Sequence, residues 1–139
     1  MKTENIVNST TIIATAVLVK NRFIGFGGTY PSANGKSLGI SEDVAAAIGD
    51  ECPVITHGIK LVEAAGVITA GDAVTTDASG KAVTVSSVTV TPPAGATPVT
   101  SSGAQPSLTV AGGKLPVAIN GYALDDAAAD GDLIRVILV

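Results

Sequence analysis

Three groups of residues in this chain are of types that could do chemistry. The first is Gly35-Lys36-Ser37, which follows the apolar run 23–26 as the Lys and Ser of a phosphate-binding loop follow a strand. Such a loop needs its first Gly at position 30, which is Tyr30; Gly28 stands two positions too early, and Pro31 removes an amide from the would-be cradle. The second is His57, the only histidine, five positions from Cys52, the only cysteine. One His and one Cys fall short of a tetrahedral metal site, and no Ser-His-Asp or Cys-His arrangement can be assembled without His57. The third is the acidic cluster Asp125, Asp126, Asp130 and Asp132. A calcium loop needs about six oxygen ligands at defined offsets with a distal bidentate Glu, and only part of that set is present. These Asp, like Asp50 and Asp72 after their Gly, stand where turns want a side-chain acceptor. The sequence therefore assigns no catalytic, cofactor-binding or metal-ligating residue, and the expectation is a protein that is not an enzyme.

The elements that carry these residues repeat. Residues 39–55 match residues 121–137 without a gap at an offset of 82, with Gly39/Gly121, Asp43/Asp125, Ala45/Ala127, Ala46/Ala128, Ala47/Ala129, Gly49/Gly131, Asp50/Asp132, Val54/Val136 and Ile55/Ile137 identical. Each copy reads as a strand end, an Ala-rich bend, a Gly-Asp turn and a second strand. What recurs is architecture, since the only repeated residue that carries chemistry is the Asp of the turn.

Composition agrees with an all-β module. Hydrophobic residues make up 46% of the 139 residues but aromatic residues only 3%, so burial must come from many small, largely β-branched contacts. Charged residues make up only 14%, which leaves a surface of Ser, Thr, Ala and Gly that is easiest to understand if it meets other protein. A net charge of −4 with scattered Lys and Arg offers no basic stripe for nucleic acid. The apolar run 12–19 is too short to span a bilayer, and Glu4 spoils the basic leader of a signal peptide, so no membrane partner is expected.

Along the chain, residues 1–10 read as a polar N-terminal arm, and 11–139 as a single β-rich domain. Residues 12–19 and 22–26 read as strands of a hairpin turned at Lys20-Asn21, with Asn21 at positive φ. Punctuation marks 27–36 as a loop. Strands follow at 37–40 and 52–62, the second with a bulge or kink at Gly58. The bend 41–49 is allowed one short helical turn, Ser41 being a good N-cap. Asp77-Ala78-Ser79-Gly80 is the strongest turn signal, joining strands 73–76 and 81–85. Residues 86–113 form a Ser/Thr/Pro/Gly-rich excursion with short strands at 88–91 and 107–110, and strands at 115–123 and 133–139 close the domain. The predicted fold is a compact small β-barrel or sandwich with hairpin arms and an internal strand-turn-strand repeat.

The order Leu38-Gly39-Ile40, Ala45-Ala46-Ala47, Gly49-Asp50, then 68–74 (Ile-Thr-Ala-Gly-Asp-Ala-Val) and 77–83 (Asp-Ala-Ser-Gly-Lys-Ala-Val), together with 121–139, resembles the tailed-bacteriophage capsid decoration, or cement, proteins of the DUF2190 type. The resemblance implies a virion protein on the outer surface of the capsid, made in the host cytoplasm, bound to the major capsid protein and to itself as a homo-oligomer, most often a trimer. It carries over no functional residue. The alternative from a different class is a secreted or virion fibre or adhesin β-module.

Overall fold

The computed structural model describes residues 1–86 and 117–139; the notable excursion, from residue 87 onward, and its two short strands lie outside the described residues. Among the described residues eight strands follow in order: β1 (Asn5–Ile13), β2 (Phe23–Ile24), β3 (Gly39–Ser41), β4 (Glu51–Glu63), β5 (Ala73–Thr76), β6 (Ala82–Thr84), β7 (Gly121–Ala123) and β8 (Leu133–Leu138). They form one antiparallel sheet in the order β2-β3-β4-β8-β7-β5-β6, with β1 laid along β4. The ends of that order approach each other, since Phe23 N–H of β2 donates to Gly80 O ahead of β6 at 2.7 Å, and Ala65 N–H of the bend after β4 donates to Ala82 O of β6 at 2.8 Å. The result is an all-β, nearly closed barrel with no helix among the described residues.

The repeat is larger than its sequence identity shows. Four bends of equal length, at 14–22, 42–50, 64–72 and 124–132, connect β1 to β2, β3 to β4, β4 to β5 and β7 to β8. The first pairs with the second through reciprocal backbone bonds: Ala14 N–H to Asp50 O, Gly49 N–H to Ala14 O, and Leu18 with Ala45 in both directions. The third pairs with the fourth identically, through Ala64 N–H to Asp132 O, Gly131 N–H to Ala64 O, and Ile68 with Ala127 in both directions. Strand registers repeat too. Ile12↔Cys52 in β1–β4 becomes Val62↔Ile134 in β4–β8, and Ile24↔Gly39 in β2–β3 becomes Val74↔Gly121 in β5–β7. The described strands thus make two strand-bend-strand-strand-bend-strand units that share β4, which ends the first and begins the second, with β6 added between β5 and β7 of the second.

The core follows the same duplication. Ala14, Leu18, Ile24, Ala45, Cys52 and Val54 form one buried cluster. Their equivalents Ala64, Ile68, Val74, Ala127, Ile134 and Val136 belong to the other, which Phe23, Ile40 and Ile55 extend into the barrel. In each bend the chain must turn through a left-handed residue, and Asn21, Gly49, Gly71 and Gly131 take φ of 61°, 96°, 96° and 92°. The three Gly-Asp copies close their turns with an Asp carboxylate: Asp50 accepts from Ala47 N–H, Asp72 from Thr69 N–H, and Asp132 from Ala128 and Ala129 N–H. The first bend has Arg22 in place of Asp. There the buried Ser41 hydroxyl bridges the turn instead, accepting from Arg22 N–H at 3.1 Å and donating to Val19 O at 2.7 Å.

Two sequence expectations are corrected. Residues 14–19 are not a strand: only Ile12 and Ile13 of the predicted 12–19 belong to β1, which begins at Asn5, and Leu18 turns inward to bridge Ala45. Lys20-Asn21 does not close a hairpin either. The positive φ of Asn21 is present, but β2 pairs with β3, because burying Leu18 and satisfying the bend's backbone against the second bend competes with local pairing. The 41–49 segment takes no helical turn, and the last strands run Gly121–Ala123 and Leu133–Leu138. By contrast the β5–β6 turn at 77–80 is as predicted, with Asp77 Oδ1 accepting from Ser79 and Lys81 N–H and Gly80 at φ 78°. Gly58 takes φ 117° where the β1–β4 register shifts beside it.

Replacing Gly49 or Gly131 with Val should destabilise the fold by about 1–2 kcal/mol each, since open space surrounds both and only the left-handed backbone opposes the side chain. Asn21→Gly at the equivalent turn should cost no more than a few tenths of that. Urea denaturation of the three variants checks the pattern, and equal losses at all three would contradict the equivalence of the bends.

Candidate functional site

The charges of this chain do their work as cross-links between elements. Lys60, on β4, has a fully buried side chain. Its ammonium donates to Glu4 Oε1 at 2.7 Å and lies 2.7 Å from Glu42 Oε2 in an ion pair that lacks hydrogen-bond alignment. Glu4 Oε1 also accepts from Leu61 N–H at 3.0 Å, so the segment before β1 is fastened to the C-terminal part of β4. Burial pushes the Glu4 carboxyl up, but the hydrogen bonds from Lys60 and Leu61 and the charges of Lys60 and Lys20 outweigh it and hold it below the ordinary carboxylate range.

A second set closes the barrel. Arg22 contacts Glu63 Oε2 through Nε at 2.8 Å and Nη2 at 2.7 Å and donates from Nη1 to Ser79 O, while Lys81 bridges Glu63 at 3.0 Å and Asp130 at 2.6 Å. One network thus joins the first bend, the end of β4, the β5–β6 turn and the fourth bend. Burial raises the Glu63 carboxyl less than the hydrogen bonds from Lys81 and Arg22 lower it. A third staple is Arg135 on Asp125, bidentate at 3.0 and 2.8 Å, with Arg135 N–H on the same carboxylate at 2.9 Å. These hydrogen bonds from Arg135 overcome the upward push of burial and, with the charges of Arg135 and Lys2, take Asp125 to about 2.

The residues singled out from the sequence are placed apart. Lys36 donates to Ile119 O and Val139 O, and Ser37 N–H donates to Asn120 Oδ1, so Gly35-Lys36-Ser37 fastens a loop to the β7–β8 end of the sheet. Cys52 is buried, and burial followed by the Asp43 charge raises its thiol; His57 is exposed on β4 against Thr56 Oγ1. The acidic cluster is divided among separate partners: Asp125 on Arg135, Asp126 on Ala70 N–H, Asp130 on Lys81 and Asp132 on its own turn. Among the described residues no three His, Cys, Asp or Glu side chains converge as metal ligands do, and no helix is long and apolar enough to cross a membrane. Sequence reasoning missed Lys60, Glu4 and Glu42. The one available signal was a Lys set between the apolar Ile59 and Leu61-Val62 of a strand.

Such an arrangement defines an all-β module whose charged side chains cross-link elements of the barrel. The chain belongs to the phage cement proteins, whose family model matches residues 1–138. Among solved structures it is similar to the head fibre gp8.5 N base of bacteriophage phi29, at 18% identity and a TM-score of 0.63 over 95% of this chain and 93% of that one. That likeness is one of fold. No curated protein matches the chain.

Glu4→Gln should destabilise the protein by about 1–3 kcal/mol at pH 7, because it leaves the buried ammonium with one weaker partner. Glu4 and Asp125 are both depressed in the folded state, so their contribution is complete above the unfolded values of 4.5 and 3.8 and is lost as pH falls through the folded ones. Stability should therefore decline between pH 4.5 and about 2, and the decline should be shallower in Glu4→Gln. Urea midpoints measured across that range decide it; parallel curves for the two proteins would show that Glu4 does not titrate with folding.

Proposed function

We propose that this protein is a head decoration protein that binds the outer surface of an assembled phage capsid and holds the shell together, with the major capsid protein as its partner and without turnover of any substrate. The observation that carries the reading is the family match over nearly the whole chain. The geometry supports it, because Glu4, Lys60, Arg22, Glu63, Lys81, Asp125 and Arg135 are committed to cross-links within the barrel. The protein also associates with itself, as a trimer on the lattice. A standard contact buries about 1,600 Å² in total, and copies linked on one shell add their contacts by avidity, so modest affinity per copy suffices.

A ligand that binds only the assembled shell stabilises it by mass action. Purified heads of the source phage should take up the protein to a fixed copy number and rupture at a higher temperature than undecorated heads. Density at the outer surface in electron microscopy of those heads would locate it. Heads that neither bind the protein nor gain stability would sink the reading and turn attention to a fibre or adhesin module.

A further inference from the structure

The two halves of the duplication supply an internal comparison. On β2, β3 and β4 of the first half, Phe23, Ile40 and Ile55 lie in one cross-strand row, since Phe23 pairs with Ile40 and Ile40 with Ile55. All three are buried, in the same cluster as Ile68, Val74, Ile134 and Val136 of the second half. That face is therefore covered by the other copy of the unit. The offsets of 50 and 82 carry the row to Ala73, Tyr122 and Ile137, which the registers again set side by side. Here the row faces solvent, with Tyr122 41% and Ile137 40% exposed.

The open face is broader than the row. Lys60, Val74, Ala123 and Val136 turn into the barrel, so the residues that alternate with them turn outward. Ile59 pairs with Ile137 and extends the row across a fourth strand. Beside it run Leu124, whose N–H bonds Arg135 O, then Arg135 itself and its cross-strand partner Leu61. Leu133 pairs with Glu63 at the margin. Leu124 and Leu133 are 39% and 41% exposed, where the first half has Glu42 and Glu51. Arg135 is the single charge inside the face, and Asp125 holds it bidentate; Glu63 at the margin is tied to Arg22 and Lys81.

We infer that this outer face of β4, β8 and β7, centred on Tyr122 and Ile137 and flanked by Leu124 and Leu133, is where copies of this chain meet one another. The inference rests on the self-association proposed above and names its surface. A Tyr and an Arg among aliphatic side chains, with little charge, is the composition of an interface core. Two observations select a second copy over the capsid. The equivalent face of the first half is already covered by a unit of this same fold, so the chain itself carries an example of the contact. The charges also fit. A chain of net charge −4 repels its own copies, and a face whose charges are matched internally is where they approach with least repulsion. A partner recognised by charge would find no uncommitted group to read here.

The first half indicates substitutions that the fold accepts, since Glu42 and Glu51 stand in the places of Leu124 and Leu133. Analytical ultracentrifugation over a range of concentrations should find the wild type as an oligomer. The double variant Leu124→Glu with Leu133→Glu should dissociate at concentrations at least about tenfold higher. Ile48→Glu, on an exposed bend of the first half, should leave assembly unchanged. A wild type that stays monomeric at every concentration overturns the inference. So does a double variant that assembles as the wild type does, and if that variant also loses binding to purified heads, the face is a capsid contact instead. Should the double variant not fold, hydroxyl-radical footprinting of the wild type gives the answer: Tyr122 and Leu124 should lose reactivity as concentration rises while Phe26 does not, and unchanged reactivity at Tyr122 overturns the face. Head binding reports separately on the decoration reading. A monomeric wild type that still binds heads sinks this face and leaves that reading standing, whereas an oligomer that the double variant breaks but that no head takes up supports the face and sinks the reading.

Discussion

The structure depends on reciprocal backbone hydrogen bonding between irregular bends. A nine-residue bend with a left-handed turn has more N–H and C=O groups than it can satisfy internally, and buried orphans are costly. Two such bends laid antiparallel satisfy each other, as Ala14, Leu18 and Asn21 do with residues 41–50, and as Ala64, Ile68 and Gly71 do with residues 123–132. Once paired, they bring Leu18 and Ala45, or Ile68 and Ala127, under the sheet. The short strands β2, β3, β5 and β7 are then aligned by the bends rather than by their own two to four residues. This accounts for a barrel assembled from strands too short to stand alone.

Such a scaffold also explains where the charges went. Arg22, Lys36, Lys60 and Lys81 each hold a carboxylate or a carbonyl from a distant part of the chain, and Arg135 holds Asp125 across the fourth bend. In a core of small aliphatic residues, ion pairs of low exposure add directional links where packing alone is permissive. The surface that remains is poor in charge because the chain carries few charged residues, 14%, and several of those are tied down.

Much of this was legible in the sequence, and what was not has identifiable causes. The 82-residue offset exposed the second and fourth bends because Gly, Asp and Ala are demanded there by φ and by carboxylate acceptance. The 50-residue offset relating the first bend to the third stayed hidden, since Asn21 and Arg22 stand where the others have Gly and Asp, and the Ser41 hydroxyl replaces the missing carboxylate. Local pattern alone made 12–19 a strand: an apolar run of alternating burial looks the same whether it lies in a ladder or folds inward at Leu18. The Lys60 cluster was illegible because its partners are distant in sequence: Glu4 reaches it only when β1 lies on β4, and Glu42 comes from the second bend. That the candidate sites come apart follows from the same cause, each Asp or Lys being matched to a backbone group or ion pair that only the tertiary structure brings near.

The position of Lys60 has a physical logic. Strand register is normally set by which side chains must be buried, and a strand with no buried face is free to slip. β1 is such a strand: all its side chains but Ile12 are exposed, and its register against β4 already shifts between Ile6 and Ser9. A buried ammonium on β4 that needs a carboxylate from the residue just before β1 removes that freedom. A slip of two residues would carry Glu4 about 7 Å along the strand, beyond hydrogen-bond reach of Lys60 Nζ and Leu61 N–H, and leave a buried charge short of its partner. The ion pair therefore specifies alignment where the hydrophobic pattern cannot. The outer residues of β1 are left under no packing constraint, and their identity is open to selection by whatever the surface meets.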